Sequence, residues 1–214
     1  PVYGGNKVRK LEYVLGDALQ RGCDSVVTFG AVGSNHALAT AIFARQLGLA
    51  CHVIMTDQPV TPYVARTLRY HAILDTRLEL ATGYNNLIDV TERLMSGHPT
   101  GADRLYRIPW GGSSPLGTIG FVNAAFELAG QSRDDIPDVI YVACGTMGTV
   151  AGLALGLRLA GCATRIEAVR VVPENVATRE GVAKLVIADN RQTTDIEPNL
   201  PLLDSPLAEV SPRD

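Results

Sequence analysis

Three cationic side chains stand close together near the start of the chain, in residues 4–10 (GGNKVRK). Lys7, Arg9 and Lys10 fall in the first turns of a predicted helix, whose amide end already carries a partial positive charge. A cation at that end costs about 0.3–1 kcal/mol, which a solvated surface helix tolerates. The segment therefore has two interpretations: a tolerated surface cluster, or a set of cations that the protein uses.

A second polar segment, residues 30–36 (GAVGSNH), stands between a predicted strand and a predicted helix. Its glycines allow a tight turn, and Ser34, Asn35 and His36 gather polar groups at the amino end of the helix. Free backbone N–H groups at such an end bind anions. The alternative is an ordinary Ser or Asn helix cap with an exposed His36, and this segment alone favours that alternative.

A third segment directly follows an apolar strand and directly precedes an apolar helix. Small residues there let backbone amides close around a phosphate, and threonine hydroxyls add hydrogen bonds. The segment is neither a Walker A loop nor a strict G-x-G-x-x-G, and tight packing of strand on helix is the alternative explanation of its glycines. We predict a phosphate-binding loop made of Gly145, Thr146, Met147, Gly148 and Thr149.

Strands that alternate with helices of ten or more residues position these segments, and the alternation predicts a parallel sheet. The predicted helices cover residues 8–19, 35–47, 150–160 and 176–188, and two others begin at residues 62 and 115. The predicted strands cover residues 25–29, 51–55, 77–81, 138–143 and 166–172. Ser114 suits the cap of its helix and Pro115 the first turn.

Two of these regions carry further expectations. The strand 138–143 is almost entirely apolar, which is typical of the buried centre of a parallel sheet. Residues 197–214 hold four prolines and little periodicity, so we expect them to be irregular or partly disordered.

The composition excludes several classes of function. A chain of 214 residues, 46% apolar and 19% charged, can bury one good core or two small domains. A net charge of −3 with scattered Lys and Arg offers no field for nucleic acid. No apolar stretch approaches the roughly 20 residues that span a membrane, and no secretory signal opens the chain, so we expect a cytoplasmic protein. The four cysteines lie far apart, which predicts buried free thiols and no zinc site.

Four segments occur in a characteristic order and spacing: residues 4–12 (GGNKVRKLE), 33–36 (GSNH), 110–117 (WGGSSPLG) and 145–153 (GTMGTVAGL). Together they resemble the D-cysteine desulfhydrase and 1-aminocyclopropane-1-carboxylate deaminase family, whose members are pyridoxal-phosphate enzymes of the tryptophan-synthase-β fold type. The resemblance covers residues 4–172. It implies a two-domain α/β fold of type II, with open, twisted, mostly parallel sheets and helices on both faces.

The resemblance also implies a cofactor, pyridoxal 5'-phosphate, and a role for each segment. Lys7 is similar to the lysine that forms the Schiff base with the cofactor, and Asn35 to the asparagine that hydrogen-bonds its phenolic oxygen. Ser34 and His36 resemble donors to the α-carboxylate of the substrate, and the amides of residues 145–149 resemble the phosphate cup. The implied reaction converts a small amino acid into a 2-oxo acid and ammonia, with sulfide as a further product from D-cysteine.

The chain departs from this family in two respects. It begins later and ends earlier than the family's usual chain, so we expect a truncated fold, without the partner of the pyridine nitrogen and the tyrosines near the substrate. In that fold residues 1–14 and 128–214 would belong to the larger cofactor domain, and residues 15–127 would form the smaller one. Met147 is unusual in the middle of the phosphate loop, and it bears on the identity of the substrate more than on cofactor use.

Two other functions stay open. A shortened relative without catalysis could keep the fold as a binding or assembly module. The chain length favours this alternative, whereas the intact Lys7, Asn35 and residues 145–149 disfavour it. A nucleotide-binding Rossmann protein is the weaker alternative, because no acidic residue ends a second strand at the needed distance after Gly145. For the enzyme we expect a homodimer that acts on a small amino-acid substrate, with no nucleic-acid or membrane partner.

Overall fold

A computed structural model describes residues 5–99, 101, 104–132, 135–193 and 210–211. The chain forms two compact units, Pro1–Gly112 and Ser113–Asp214. The predicted boundaries at residues 14/15 and 127/128 lie within the helices Val8–Gln20 and Pro115–Gln131. The predicted partition of the whole protein into a cofactor domain and a smaller domain stays a prediction.

The first unit contains a four-stranded parallel sheet in the strand order β3-β2-β1-β4. Its strands are β1 (Ser25–Ala31), β2 (Ala50–Thr56), β3 (Arg77–Leu80) and β4 (Leu105–Arg107). Its helices are α1 (Val8–Gln20), α2 (Asn35–Gln46), α3 (Pro62–Ile73) and α4 (Gly83–Ser96), and a 3-10 turn spans Trp110–Gly112. The predicted elements from α1 to β3 are confirmed, with boundaries within two residues, whereas α4 and β4 have no predicted counterpart.

Alternate residues of β1 contribute to two different apolar clusters. Val26 belongs to the cluster that contains Leu11 of α1 and Ala37 of α2. Val27 belongs to another cluster, which contains Val90 of α4. Because successive side chains of a strand point to opposite faces, helices cover both faces of this sheet, as the sequence predicts.

The second unit contains a parallel sheet in the strand order β5-β6-β7. Its strands are β5 (Val139–Cys144), β6 (Arg165–Arg170) and β7 (Val210–Ser211), and its helices are α5 (Pro115–Gln131), α6 (Gly148–Leu159) and α7 (Arg179–Thr193). Ser114 caps α5 as predicted, since its Oγ accepts the Gly117 N–H at 3.1 Å and Pro115 stands in the first turn. The parallel α/β class predicted from the sequence is therefore confirmed in both units.

The strand β5 corrects one expectation. Among the described residues it lies at the edge of its sheet and Tyr141 is 74% exposed, so in this part of the chain β5 is neither central nor fully buried. Ile140 and Val142 pack in the apolar cluster that includes Val150 of α6. One face of β5 is therefore covered in the described part of the chain and the other is open, which an apolar sequence alone does not reveal.

The region predicted to be irregular, residues 197–214, holds one strand. Val210–Ser211 forms β7 and pairs in parallel with Ala168 and Val169 of β6. The other residues of that region, 197–209 and 212–214, lie outside the described residues.

The cysteines are free thiols, with Cys23, Cys51 and Cys144 buried and Cys162 partly buried. Burial raises the pKa of the Cys51 thiol to about 12, which keeps it protonated and unreactive at neutral pH. Across the residues that the structure describes, no helix is both long enough and apolar enough to cross a membrane.

Helices α5 and α6 approach so closely that glycine is required between them. A Cβ placed on Gly152 would lie 2.6 Å from Phe121 Cβ and 2.6 Å from the carbonyl oxygen of Thr118. We expect Gly152→Ala to lower the free energy of unfolding by about 1–3 kcal/mol, because two helix backbones must move apart. The matched control is Gly130→Ala in α5, where no atom lies within 4 Å of the added Cβ and a gain of about 0.5–1 kcal/mol is expected. Urea unfolding measures both, and equal effects of the two substitutions would contradict this packing.

A buried histidine makes the first unit sensitive to acid. His71 of α3 is 0% exposed, neither ring nitrogen has a hydrogen-bond partner in the described structure, and burial lowers its pKa to about 4. The unfolded chain, with a histidine pKa near 6.5, therefore binds more protons than the folded chain between about pH 6.5 and pH 4. The effect of His71 on the free energy of unfolding is absent above pH 6.5. As the pH drops through that window, protonation of the unfolded chain lowers the free energy of unfolding, by about 1–2 kcal/mol at pH 5.

The variant His71→Leu tests this effect, because it removes the titrating ring without breaking a hydrogen bond. We expect it to be as stable as the parent at pH 7 and to lose less stability between pH 7 and pH 5. Urea unfolding at both pH values measures the difference. An unchanged pH dependence in His71→Leu would show that other groups carry the acid sensitivity.

Candidate functional site

Lys7 stands directly before α1, and the helix fixes its position. Its carbonyl oxygen accepts the N–H groups of Lys10 and Leu11 at 3.1 and 3.0 Å, and no side-chain hydrogen bond caps the helix. Leu11 is 1% exposed and anchors the first turn in the core. The base of the Lys7 side chain is therefore held by a packed helix, which is a suitable support for a reacting group.

The Lys7 amine is partly buried. Burial lowers the pKa of Lys7 below its usual range, because desolvation disfavours the charged ammonium. No carboxylate within the described residues forms an ion pair with it. A lysine that loses its proton more easily is a better nucleophile, which agrees with the role predicted for Lys7.

Lys10 is the most buried of the neighbouring cations. It is 1% exposed, and its Cβ lies 3.4 Å from the position that a Cβ on Gly112 would occupy. The His36 Cε1 lies at the same distance from that position, and Gly112 has a positive φ of 64°. Gly112 therefore leaves room for both side chains, and the interpretation of residues 4–10 as a solvated surface cluster fails for Lys10.

The His36 side chain is buried, with 3% exposure, and is not the exposed residue of a simple helix cap. Its Nε2 lies 2.8 Å from Thr28 Oγ1, which in turn donates to the Ile108 carbonyl oxygen at 3.2 Å. Burial, together with the positive charges of Lys7 and Lys10, lowers the pKa of His36 to about 3. The imidazole is therefore neutral at physiological pH.

The same contacts set the chemistry of the two ring nitrogens. With the Thr28 hydroxyl proton directed to Ile108, the ring donates from Nε2, and Nδ1 carries the lone pair. This Nδ1 is buried and has no hydrogen-bond partner in the described structure. In this geometry the unpartnered nitrogen of His36 is an acceptor; the predicted role of His36 as a donor to a substrate carboxylate, which would need the proton on Nδ1, stays a prediction.

Ser34 and Asn35 open α2 at the carboxyl end of β1. Ser34 Oγ accepts the Ala37 N–H at 3.2 Å, so the hydroxyl keeps its own proton for donation. Asn35 is exposed, and its Oδ1 accepts the hydroxyl of Tyr63 at 2.5 Å. The predicted roles of Ser34 and Asn35 as donors to a bound molecule stay predictions.

Two residues near this turn were missed from the sequence, Gln58 and Tyr63. Gln58 Oε1 accepts the Gly33 N–H at 2.9 Å, and Tyr63 contacts Asn35. Both follow β2, whereas the turn at residues 32–34 follows β1, and these strands are parallel neighbours. Because the carboxyl ends of parallel strands meet at one edge, this juxtaposition was the available signal.

The predicted phosphate loop, residues 145–149, lies in the second unit between β5 and α6. Met147 has a left-handed φ of 63° at the start of α6, and the Gly148 N–H is bonded to the Thr146 carbonyl at 2.8 Å. The Gly148 amide is therefore already engaged inside the loop. The first-turn N–H groups of Thr149 and Val150 have no acceptor within their helix, so they are the amides best able to bind an anion.

Side chains support this loop from two sides. Ser113 Oγ donates to Thr146 Oγ1 at 2.8 Å, which fixes the Thr146 hydroxyl. The Met147 Sδ lies 2.5 Å from the position that a Cβ on Gly181 would take, so the methionine side chain packs against α7. Met147 thus has a packing role, and an anion would meet the backbone of the loop instead of a thioether.

The predicted site residues divide between the two units. Lys7, Ser34, Asn35 and His36 belong to the first unit, where Lys7 lies close enough to His36 for its charge to lower the histidine pKa. Residues 145–149 belong to the second unit. Both units are parallel α/β, as expected for the class of fold type II pyridoxal-phosphate proteins, and the roles of Lys7 and of residues 145–149 stay predictions.

The comparison with family models agrees with this class. Residues 1–200 match the model described as "Pyridoxal-phosphate dependent enzyme". The chain belongs to this family, which confirms the fold type and the cofactor predicted from the sequence.

Individual proteins of this family are similar to the chain over most of its length. The chain is 41% identical over 162 residues to a Pyrococcus horikoshii protein that is provisionally named 1-aminocyclopropane-1-carboxylate deaminase, covering 73% of this chain and 47% of that protein. It is 35% identical over 193 residues to the D-cysteine desulfhydrase of Klebsiella pneumoniae, covering 84% of this chain and 58% of that protein. The crystal structure of an ACC deaminase homologue matches with a TM-score of 0.75 at 35% identity, covering 88% of this chain and 57% of that one. The chain thus spans about half the length of the curated relatives it matches.

The residues of this chain fit the cofactor. A partly buried lysine with no carboxylate partner among the described residues can bond an aldehyde, and first-turn amides of α6, which have no acceptor within the helix, can bind a phosphate. The buried, unpartnered Nδ1 of His36 is a further polar atom that a bound group or an ordered water can satisfy.

Proposed function

We propose that the protein to which this chain belongs is a pyridoxal-phosphate-dependent lyase or deaminase that converts a small amino acid into a 2-oxo acid and ammonia. The observation that carries the proposal is Lys7. It is a partly buried amine with a lowered pKa, placed before a packed helix and beside a neutral histidine.

Lys7 Nζ is the proposed point of covalent attachment and the proposed carrier of the substrate α-proton. When bound, pyridoxal phosphate supplies an electron sink for charge that develops at the substrate α-carbon. The lowered pKa of Lys7 lets its amine exist without a proton near neutral pH more often than an exposed lysine does. His36 stays uncharged beside it and therefore adds no positive charge to the lysine's surroundings.

Polar groups at the start of α2 orient the other components. We assign Asn35 to the phenolic oxygen of the cofactor, because its side-chain amide includes a hydrogen-bond donor and the residue opens α2 at the carboxyl end of β1. We assign Ser34 to the substrate carboxylate, because the hydroxyl retains a proton after capping α2. For His36 we propose one of two other roles. It accepts a hydrogen bond through Nδ1, or it stabilises the turn before α2 through its hydrogen bond with Thr28.

The loop at residues 145–149 is the proposed phosphate site. Gly145, Thr146, Met147, Gly148 and Thr149 remain the proposed members. Within the loop, the Thr149 N–H and the two threonine hydroxyls are the main donors, because the Gly148 amide is already bonded to Thr146. Val150 adds a further first-turn amide.

The names of two relatives point to the substrate class. One is a D-cysteine desulfhydrase and another carries the name of a 1-aminocyclopropane-1-carboxylate deaminase, so small amino acids are the proposed substrates. With D-cysteine, elimination would give sulfide, pyruvate and ammonia. A non-catalytic module is the less supported alternative, since such a module has no need of a lysine with a lowered pKa.

Assembly and location belong to the same proposal. We propose a cytoplasmic protein without a nucleic-acid partner, on the basis of the net charge of −3 and the free thiols. The homodimer expected at the outset stays part of the proposal. The division of the whole protein at residues 14/15 and 127/128 likewise remains part of the proposal.

The test measures product formation from defined substrates. The chain, reconstituted with pyridoxal phosphate, is incubated separately with D-cysteine, L-cysteine and 1-aminocyclopropane-1-carboxylate, and 2-oxo acid and ammonia are quantified. We expect equal amounts of 2-oxo acid and ammonia from one of the three substrates, at a rate about tenfold or more below that of a full-length D-cysteine desulfhydrase. The rate is lower because loss of a group that acts only in the transition state lowers turnover more than it weakens binding.

Two results would change the proposal. Cofactor bound to Lys7 without product from any of these amino acids would favour the non-catalytic alternative. A rate equal to that of the full-length relative would show that the residues of this chain, or a second copy of it, supply every group that elimination needs.

A further inference from the structure

A cavity opens at the carboxyl edge of the first sheet, and no residue of the predicted site is among the described residues that line it. Its volume of about 410 Å³ lies within the range of about 300–1,000 Å³ that is typical of small-molecule sites. We call it the Trp110 cavity. Its described lining lies wholly in the first unit and consists of Thr56, Asp57, Ala81, Gly83, Leu87 and Trp110.

Trp110 gives this cavity an aromatic surface. Its ring stacks on the Phe29 ring, with centroids 5.8 Å apart and an interplanar angle of 22°. Phe29 is 2% exposed and belongs to the apolar cluster that also contains Ile54 and Ala81, so the stack is anchored in the core. Trp110 itself keeps 39% of its surface exposed. A fixed partner thus covers one face of the indole, and the uncovered face is electron-rich.

Two polar residues of the lining have side chains without a partner. Within the residues that the structure describes, neither the Asp57 carboxylate nor the Thr56 hydroxyl forms a hydrogen bond or an ion pair. Asp57 is exposed and Thr56 is partly buried. Ala81 and Leu87 add apolar carbon to the same lining. The cavity therefore combines an unpaired negative charge, a hydroxyl, an aromatic ring and an apolar wall.

The charge of this lining selects the sign of a ligand. None of the described lining residues is cationic, and the Arg107 guanidinium, which lies 5.2 Å from the Phe29 ring centroid, is not part of the lining. The face of an indole attracts a cation more strongly than any other aromatic side chain does. A carboxylate adds a charge-assisted hydrogen bond to an N–H donor. An anion would instead meet a negative charge and an electron-rich ring.

The segment that contributes Thr56 and Asp57 also connects the cavity to the turn before α2. The Thr56 carbonyl oxygen accepts the Val32 N–H at 3.2 Å, and Gln58 Oε1 accepts the Gly33 N–H at 2.9 Å. These bonds hold the segment after β2 in place. The carboxylate of Asp57 is therefore attached to a backbone that is fixed on both sides.

We propose that the Trp110 cavity binds a small organic cation, in which an ammonium group with a short alkyl chain hydrogen-bonds Asp57 and lies against the Trp110 ring. The Thr56 hydroxyl oxygen is a further acceptor for the ammonium, and the alkyl chain packs on Leu87. The cavity is distinct from the proposed cofactor site, so binding does not require pyridoxal phosphate.

The single tryptophan of the chain makes ligand binding in this cavity directly observable. Tryptophan emission of the full 214-residue chain is recorded while n-butylammonium chloride is added at constant ionic strength, without pyridoxal phosphate. We expect a saturable change in emission, with a Kd in the millimolar range. The uncharged n-butanol, which has the same alkyl chain, should bind about fivefold or more weakly, and butyrate should not bind.

Asp57→Asn removes the negative charge and keeps the shape of the side chain. We expect it to raise the Kd for n-butylammonium about threefold to tenfold, because the ammonium loses its charged acceptor. The matched control is Asp89→Asn, at an exposed aspartate of α4 that is not among the described lining residues. This control should bind n-butylammonium with the Kd of the parent.

Calorimetry on the same samples makes each outcome decisive. A parent-like Kd in Asp57→Asn, or equal Kd values for n-butanol and n-butylammonium, would overturn the inference. So would heat of binding without a change in tryptophan emission, which would place the ligand elsewhere, and the absence of both heat and emission change. Failure of the proposed function would leave all of these measurements unaffected, because they are made without the cofactor.

Discussion

Replacing Lys7 with alanine should abolish the visible absorbance that the parent develops with pyridoxal phosphate and leave the fold intact. The Lys7 amine is the proposed attachment point, whereas its side chain makes no hydrogen bond that caps α1. The carbonyl that anchors the first turn belongs to the backbone and survives the substitution. We therefore expect the free energy of unfolding to change by less than about 1 kcal/mol, the size of a typical surface or cap effect.

The chain offers a simple control for this substitution. It has only three lysines, Lys7, Lys10 and Lys184. Lys184 is exposed on α7, so Lys184→Ala should keep the full absorbance. Lys10 is buried and would perturb the core if removed, which makes it unsuitable as a control. Full absorbance in Lys7→Ala would exclude the assignment of the first segment.

Introducing a carboxylate into the phosphate loop should weaken cofactor binding far more than folding. Gly148 is the first residue of α6 and is buried, and the Thr149 and Val150 amides that follow it in the first turn are the proposed phosphate donors. In Gly148→Asp a negative charge opposes the phosphate dianion and competes for the same N–H groups. We expect the Kd for pyridoxal phosphate to rise tenfold or more, which corresponds to about 1.4 kcal/mol or more.

Gly148→Asn is the matched control, because it has the shape of aspartate without the charge. An acidic residue in the first turn of a helix is itself favourable by about 0.3–1 kcal/mol, so Gly148→Asp should not be less stable than Gly148→Asn. Fluorescence titration gives Kd, and urea unfolding gives stability. Equal Kd values for the aspartate and asparagine variants would mean that the size of the side chain, and not its charge, weakens cofactor binding. Kd values equal to the parent's in both variants would mean that the loop is a packing turn and does not bind the phosphate.

Local signals account for the parts of the fold that the sequence predicts. The limits of α2 come from a serine cap followed by apolar periodicity, and those of α5 from Ser114 and Pro115, all within a few residues of the helix start. The β1 strand is equally clear, because a run of β-branched residues ends at a glycine. Such patterns are governed by neighbours in the sequence, so they can be read without knowing the fold.

Burial and partner choice follow from distant residues, and there the sequence is less informative. Tyr141 stands in an apolar stretch of the sequence, yet its side chain is exposed in β5. The burial of a strand face depends on which other elements pack against it, and the strand's own sequence does not give this. The state of His36 depends on Thr28 and on Ile108, which contacts that threonine from 80 residues away. The general position of a polar cluster at the start of α2 was predictable, whereas the direction in which each group donates was not.

The residues of the proposed site also differ in how clearly the sequence alone reveals them. Lys7 stands out because cations at a helix start are locally unfavourable, and the structure adds the burial that lowers its pKa. Tyr63 carries no sequence signal of its own, since an exposed tyrosine in an amphipathic helix is common. Its contact with Asn35 depends on the parallel pairing of β1 and β2, which brings the following loops together.

Reduction of the reconstituted protein with borohydride, followed by mass mapping of its peptides, tests the central claim most directly. Borohydride converts the bond between lysine and cofactor into a stable amine, so the modified residue can be identified. The account predicts a single modified peptide, with the cofactor mass on Lys7 and none on Lys10 or Lys184. A modification on either of those lysines, or no modification after reconstitution, would contradict it.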